Sequence, residues 1–276
     1  MPSGLPQRSH LFWVAFFISI CGANCAPAQT CGVSKGTLPF ADGEQLSYNL
    51  VYQWGLLWVP AGRVTFSVKD TLINESVGGF HFQGDGASLE TWDWFYKVRS
   101  RYASVCDSAC NPLKFERSGQ EGSYIYDRTY DIYPGDSARF YRNDPSKESM
   151  NWPIALGDTC AYDVISAIYR VRSIDFANLN VGDSLPLRLI LDGAVHDIHI
   201  TYAGIKAWKD PRTGKKYRCH LIRPDLIEGT IFKAGDSMKV FVSDDRRKIP
   251  LYIETDLVVG KARIFLTGTK NLVSIE

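Results

Sequence analysis

The sequence predicts a mainly β protein: a single antiparallel β-barrel, or a strongly curved half-barrel, with one packed amphipathic helix. Three observations support this fold class. Short segments with alternating apolar and polar residues recur along most of the chain, turn-forming residues separate them, and one segment has helical spacing instead. A meander of about a dozen strands, without an internal repeat or a Pro- or Ser-rich linker, is typical of one such domain.

Residues 1–28 have the features of a signal peptide, and residues 29–40 would follow as an N-terminal arm. Arg8 precedes an apolar run over residues 11–23, which is shorter than the ~20 residues that a membrane-spanning helix needs. The run leads to A-P-A at residues 26–28, a small-x-small cleavage pattern. We therefore expect an exported protein of the periplasm or the outer-membrane periphery, with no transmembrane segment in the mature chain.

The β-rich domain is expected over residues 41–276. In its first strand Leu46, Tyr48, Leu50 and Tyr52 alternate with other residues and so share one face. The expected strands cover residues 45–52, 61–68, 80–83, 97–105, 113–118, 123–133, 138–141, 184–191, 194–202, 217–223, 239–243, 249–257 and 262–269.

The one clear helix is predicted at residues 158–172, where apolar residues recur at helical spacing. Asp158 or Thr159 is placed to cap its N-terminus. The stripe expected to face the sheet consists of Val164, Ile168 and Val171.

The stretch H-D-I-H places His196 and His199 three residues apart on a predicted strand. Because side chains alternate along a strand, the two rings should point to opposite faces and cannot share one metal ion. Which of the two rings faces the interior stays open. A meeting of His220, on the partner strand, with one of these histidines is left open.

Five cysteines would remain after cleavage, and export would place them in an oxidising compartment. Cys106 and Cys110 flank a turn and are expected to form a local disulfide; a metal site would need further ligands that the nearby sequence lacks. The pairing of Cys31, Cys160 and Cys219 stays open, and an odd number leaves at least one thiol free or paired between molecules.

Motifs for catalysis are weak. The sequence predicts no strand-turn-helix context for a catalytic serine and contains no complete phosphate-binding glycine loop. Asp244 and Asp245 adjoin Arg246 and Arg247, which indicates a solvated turn rather than a pair of catalytic carboxylates. Asp163, inside the predicted helix, is interpreted as a structural acid that favours the helix dipole.

Charge composition adds a further exclusion. The chain has 31 basic and 30 acidic residues, so it offers no electrostatic reason to bind nucleic acid. We predict no catalytic residue, no metal and no cofactor, and favour a non-enzymatic role over a hydrolase.

Two aromatic sets stand out, QWGLLWVP and TWDWFY. The second could form a short helix or a strand edge. Rings of this kind suit lipids and glycans, so they are the predicted ligand-binding residues, unless they fill the end of the barrel core. The predicted residues are Trp54, Trp58, Trp92, Trp94 and Tyr96.

Several stretches together resemble a known family. In order they are FADGEQLSYNL, YDVISAIYRVR, HITYAGIK, VFVSDDRRKIPLYIE and VVGKARIFL. This set resembles widespread exported envelope proteins of Gram-negative bacteria, of the Bacteroidetes type, that are grouped only as a domain of unknown function. The resemblance covers about residues 38–270.

The resemblance implies a β-rich exported protein without an established enzyme activity or cofactor. It also implies a set of recurrent, structural positions, among which Glu44 and Arg247 would form an ion pair across strands. That set is Gly43, Glu44, Tyr48, Gly62, Asp163, Ser166, Arg172, Asp245, Arg247 and Pro250.

These observations lead to a functional hypothesis: a non-enzymatic binding or carrier protein of the cell envelope for an apolar ligand, a lipid or a glycan. The alternative is a structural or assembly partner for an envelope protein, acting through its surface. An apolar cavity above ~300 Å³ would favour the first, and a filled core with an exposed apolar patch the second.

Overall fold

The structure, a computed structural model, describes residues 38–73, 77–157, 160–226, 238–257 and 259–274. The predicted signal peptide and residues 29–37 of the predicted arm lie outside this range. The strands are β1 (Gln45–Trp54), β2 (Leu57–Ile73), β3 (Val77–Ser88), β4 (Val98–Asp107), β5 (Pro112–Glu121), β6 (Tyr124–Tyr133), β7 (Ser137–Arg142), β8 (Met150–Ala155), β9 (Ala161–Tyr162), β10 (Ser184–Leu191), β11 (Ala194–Lys209), β12 (Lys216–Pro224), β13 (Lys239–Ser243), β14 (Pro250–Asp256) and β15 (Lys261–Lys270). The α-helices are α1 (Asp93–Tyr96) and α2 (Val164–Arg172), and 3-10 turns cover Glu90–Trp92 and Phe176–Asn178.

All fifteen strands belong to one sheet, in the order β8-β7-β6-β5-β4-β3-β2-β1-β15-β14-β13-β12-β11-β10-β9. The sheet thus consists of two meanders, the first formed by β1–β8 and the second by β9–β15, which are joined where β1 pairs with β15. Pairing is antiparallel except between β9 and β10. The prediction of a mainly β, strongly curved antiparallel sheet is confirmed.

The two edges of the sheet approach each other through side chains. Arg188 of β10 donates to the Leu156 carbonyl, just after β8, at 2.9 Å. Trp152 of β8 donates to the Gly193 carbonyl at 3.0 Å, and the Gly193 amide donates to the Tyr130 hydroxyl at 3.0 Å. The sheet therefore curls into an open, barrel-like shape with a concave interior.

Strand β8 was not predicted, and its sequence MNWPIA explains why. Pro153 lacks an amide hydrogen and argues against a strand inside a sheet. Because β8 is an edge strand, one side of its backbone needs no sheet partner, and proline is tolerated there.

Helix α2 begins at Val164, later than the predicted residue 158. Residues 161–162 form β9 instead, and residues 158–159 lie outside the described range. The N-cap is therefore Asp163, which was predicted to lie within the helix: its side chain accepts hydrogen bonds from the amides of Ile165 and Ser166. Water cannot reach the free amides of a buried helix end, so they need a side-chain acceptor. The buried Asp163 carboxylate supplies it.

Helix α2 lies on the concave face and separates two interiors. On the side of β3–β8 the core is packed with rings, and Tyr169 stacks on Phe82 with centroids 4.0 Å apart. Phe40, the last residue of the predicted arm, packs edge-on against both rings. On the side of β10–β13, aliphatic side chains dominate.

The outer face of the second meander carries its own aromatic cluster. The sheet bends at a bulge after Tyr202, where Gly204 has a φ of +82°. Trp208 then stacks on Tyr252 at 5.0 Å, next to the buried Phe265. The end of the β11–β12 hairpin thus helps to cover this outer face.

The predicted disulfide between Cys106 and Cys110 is wrong, since both cysteines are free and buried. Asp107 organises the turn instead: its carboxylate accepts from the amides of Ala109 and Asn111 and from the side chain of Asn111. Cys106 Sγ meets the Ser104 hydroxyl at 3.3 Å. Cys219 is also a buried free thiol.

Neither described helix is long and apolar enough to cross a membrane.

Candidate ligand-binding cavity

A cavity of about 360 Å³ lies between helix α2 and the concave face of the second meander. Its size falls within the ~300–1,000 Å³ of typical small-molecule sites. Strands supply most of the wall, because every second side chain of a strand points inward. The pairs Leu187/Leu189, Ile198/Ile200 and Val240/Val242 follow that alternation on β10, β11 and β13. From α2 come Val164, Ala167, Ile168 and Val171.

The stripe of α2 that was predicted to pack against the sheet therefore faces the cavity instead. Val164, Ile168 and Val171 are only half-buried and line the cavity. The helix face that packs tightly carries Ile165 and Tyr169. Helical spacing identified an apolar stripe, but it could not show that part of the stripe faces a void.

One end of the cavity is closed by a buried ion pair. Arg172, the last residue of α2, meets the Glu44 carboxylate through two hydrogen bonds of 2.5 and 3.0 Å. Both residues are fully buried, at 1% and 0% exposure. Arg172 also donates to the backbone carbonyls of Pro39, at 2.9 Å, and Arg247, at 3.1 Å. Such extra bonds are what makes a buried pair tolerable, because each charge has lost its water.

The expected ion pair between Glu44 and Arg247 is thus replaced by Glu44 with Arg172. Arg247 contributes its backbone carbonyl, and its side chain reaches Asp245 at 3.2 Å. Asp245 holds the β13–β14 turn by accepting from the Arg247 amide at 2.9 Å.

Two tyrosines lie next to this ion pair in the cavity wall. Tyr48 donates to the Pro250 carbonyl at 3.0 Å, and burial raises its pKa well above the ordinary range. The Tyr169 hydroxyl is buried without a hydrogen-bond partner in the described part of the chain. Five recurrent positions of the family resemblance therefore meet in one place: Glu44, Tyr48, Arg172, Arg247 and Pro250.

Asp163 anchors the other end of helix α2. Besides the two backbone amides, its carboxylate accepts from the hydroxyls of Ser104, at 2.6 Å, and Ser166, at 2.8 Å. Burial raises the pKa of Asp163, and these hydrogen bonds act in the opposite direction. Because Ser104 belongs to β4, this acid fixes the helix to the first meander.

The H-D-I-H stretch lies on β11 as predicted. His196 is half-buried, and His199 is exposed near Asp225 at 3.5 Å. His220 meets neither histidine; it contacts the Tyr202 hydroxyl at 2.9 Å and Asp244 at 2.7 Å. Neither His220 nor its two partners, Tyr202 and Asp244, line the cavity. Among the described residues, no group of three His, Cys, Asp or Glu side chains is placed to hold a metal ion.

The predicted ligand-binding aromatics lie elsewhere. Trp54, Trp58, Trp92, Trp94 and Tyr96 are exposed at one end of the sheet and do not line the cavity. Because all five side chains are exposed, the alternative that they fill the end of the barrel core is wrong. The segment TWDWFY forms a 3-10 turn followed by α1.

The cavity residues themselves were missed. The alternation that predicted the strands gave their inner faces, but it gave no sign of a void. A signal was present in the residue types: the inner faces of β10 and β13 carry leucine and valine, where β3, β5 and β7 carry phenylalanine. Smaller side chains fill less of an interior of similar width.

Comparison with known proteins supports the fold. A β-barrel-like protein of the domain of unknown function DUF1849 from Brucella abortus superposes with a TM-score of 0.57 at 11% identity, over 85% of this chain and 99% of that one. A protein with a YmcC-like fold from Bacteroides fragilis gives a TM-score of 0.35 at 9% identity, over 87% of this chain and 100% of that one. A search of curated proteins finds no match. A family model described as a protein of unknown function, DUF3108, matches residues 47–267.

Proposed function

The chain belongs to the DUF3108 family, whose description names no activity, and we propose from its cavity that it is a binding or carrier protein for a single apolar chain, such as the acyl chain of a lipid. The observation that carries the proposal is the aliphatic cavity between α2 and the second meander. Burial of a chain in it would be driven by the hydrophobic effect, at about 0.8 kcal/mol for each CH₂ group.

The chemistry of the wall favours a lipid chain over a glycan. A sugar needs several hydrogen-bonding partners, whereas the polar members of this wall are two tyrosines, Arg172 and Asp225. The Arg172 guanidinium is already bound by Glu44 and two carbonyls, so it is not free to receive an anionic group. An apolar chain asks for no such partner.

We also propose that the protein acts after export, in the periplasm or at the outer-membrane periphery, as one domain over residues 41–276. Support comes from the predicted signal peptide, which lies outside the described residues. A role as an assembly partner for an envelope protein is the second candidate, and the exposed aromatic residues favour it.

Filling the cavity tests the proposal. Ile198→Phe enlarges a side chain that lines the cavity, and we expect the affinity for a fluorescent acyl chain in vesicle-free solution to fall by about tenfold or more. The ligand-free variant should keep its stability or gain about 0.5–2 kcal/mol, because a void is filled. Fluorescence titration and urea unfolding give the two readings.

The matched control is Ile205→Phe, the same change on the same strand at an exposed position. It should leave the affinity unchanged. Native mass spectrometry of protein recovered from its own periplasm adds an independent reading. If the wild-type protein carries no small molecule and takes up no acyl chain, the carrier proposal is wrong.

A further inference from the structure

We propose that one end of the sheet, the aromatic rim, docks on the surface of a phospholipid bilayer with zwitterionic headgroups. We define the aromatic rim as the β1–β2 turn, the β3–β4 connection with α1, and the β14–β15 turn. Its exposed apolar residues are Trp54, Leu56, Leu57, Trp58, Trp92, Trp94, Phe95, Tyr96 and Val259. The docking itself does not depend on the proposed function. Only the ligand that the docked protein would exchange, an acyl chain, rests on that function.

The strand order places these segments at one end. Neighbouring antiparallel strands alternate in direction, so the three connections all leave the sheet on the same side. Contacts join them: Trp92 donates to the Pro60 carbonyl of β2 at 2.8 Å, and Tyr52 of β1 donates to the Val259 carbonyl at 2.9 Å. The rim is thus a connected surface built from separate sequence segments.

Exposure on the rim is unusually high for large apolar side chains. Leu56, Trp94 and Phe95 are 97%, 82% and 75% exposed. The four exposed tryptophans of the described residues all lie on the rim. Tryptophan and tyrosine are the residues that settle at a membrane–water interface, because each ring has an apolar body and one polar group.

Polar contacts on the protein side hold the backbone that carries the most exposed rings. The Asp93 carboxylate at the start of α1 receives two hydrogen bonds from Arg99, at 2.5 and 3.1 Å, and one from the Ser88 hydroxyl at 2.6 Å. Trp94 and Phe95, the next two residues, receive no such anchor and point away from the core. A fixed backbone lowers the entropy lost when these rings insert.

The charges of the rim decide which bilayer it suits. Residues 54–58, WGLLW, carry no charge. Acidic and basic groups nearby are largely paired within the protein: Asp93 with Arg99, Asp256 with Lys261 at 2.6 Å, and Glu254 with Arg263 at 3.2 Å. A surface without excess positive charge gains little from anionic lipids, which bind through clusters of Lys and Arg. It suits a zwitterionic surface entered by apolar side chains.

The cavity extends toward the same end. Pro224 and Leu226, at the end of β12, and Met238, just before β13, line it, and they lie at the end of the sheet where β14 ends and β15 begins. The Glu44–Arg172 pair closes the opposite end. Docking through the rim would therefore bring the source of acyl chains to the correct end of the cavity.

The test measures partition of the protein, recovered from the periplasm of its expression host, into phosphatidylcholine vesicles. We expect binding that changes little between about 50 and 400 mM salt, since screening weakens only electrostatic attraction. Trp94→Ser/Phe95→Ser should lower the partition coefficient by about tenfold or more, because two large apolar side chains no longer insert. Tryptophan emission should shift to the blue in the wild-type protein.

The matched control is Leu72→Ser/Val181→Ser, which removes two exposed apolar residues, 67% and 74% exposed, from the opposite end of the sheet. It should partition as the wild type does. Three results would overturn the proposal. The wild-type protein does not partition into vesicles, both double variants lose partition equally, or the rim binds a purified envelope protein but no vesicle. Uptake of an acyl chain in vesicle-free solution separates the two ideas: uptake without partition removes the docking alone, and partition without uptake removes the carrier role alone.

Discussion

Single residues hold helix α2 against the sheet, and Arg172 is the clearest case. It lies 128 positions from Glu44 in the chain, yet the two form the buried ion pair that closes the cavity. Its guanidinium also lies near the rings of Tyr169 and Phe40, at 5.4 and 5.9 Å from the ring centres. Removing one partner leaves a charge without water or counter-ion, which is more harmful than removing both.

Arg172→Met should therefore destabilise the protein by about 3–5 kcal/mol, measured by urea unfolding, because Glu44 stays buried and unpaired. Adding Glu44→Gln should recover part of that loss. Arg170→Met is the control: the same change in the same helical turn, at a half-buried side chain outside the ion pair. Equal losses at positions 170 and 172 would contradict this account.

At the scale of elements, α2 is fixed at both of its ends by buried polar groups. The acid Asp163 lies at its N-terminus and the base Arg172 at its C-terminus, so both charges are placed favourably for the helix dipole. Asp163 ties the helix to the first meander through Ser104, and Arg172 ties it to the β13–β14 turn. The cavity can persist under the helix because these ties, not apolar packing alone, hold it.

Asp163→Ala should lower the free energy of unfolding by about 2 kcal/mol or more, since it removes a cap and leaves the buried Ser104 hydroxyl without its acceptor. Asp175→Ala is the matched control, because Asp175 caps the 3-10 turn at an exposed site. We expect a loss there of about 1 kcal/mol or less. Thermal or urea unfolding of both variants gives the comparison, and a larger loss at Asp175 would refute the reasoning.

At the scale of the whole molecule, the buried His220 and the half-buried His81 link stability to pH. Burial lowers the pKa of His220, with Asp244 acting in the opposite direction, and burial also lowers the pKa of His81. The unfolded chain then takes up protons at a higher pH than the folded one. Stability rises with pH wherever the unfolded state binds more protons.

We therefore expect the urea midpoint to fall as the pH is lowered from about 7 to 5, below the ordinary histidine pKa of about 6.5. In His220→Gln the midpoint should change less over this interval, because one of the two groups no longer titrates. His199→Gln, at an exposed position, should follow the wild type. A pH dependence that is unchanged in His220→Gln would contradict the assignment.

Particular elements show how far the sequence could be interpreted. Strands β10 and β13 were predicted with their observed bounds, and the split of His196 from His199 followed from alternation alone. Strand β8 was missed because its proline is acceptable only at an edge, and edges are set by the whole sheet. The start of α2 was misplaced because the N-cap is Asp163, whose carboxylate accepts from the amides of Ile165 and Ser166 and is held by a hydrogen bond from Ser104 of β4.

The sequence by itself determined the fold class, because apolar alternation and helical spacing are local patterns that each strand or helix carries within a few residues. Only the tertiary structure decided the pairing of Glu44 with Arg172, the absence of a bond between Cys106 and Cys110, and the position of the exposed aromatic residues on one rim. The cavity belongs to this second group. A void is the volume that side chains from eight strands and one helix together fail to fill, and no local pattern records that sum.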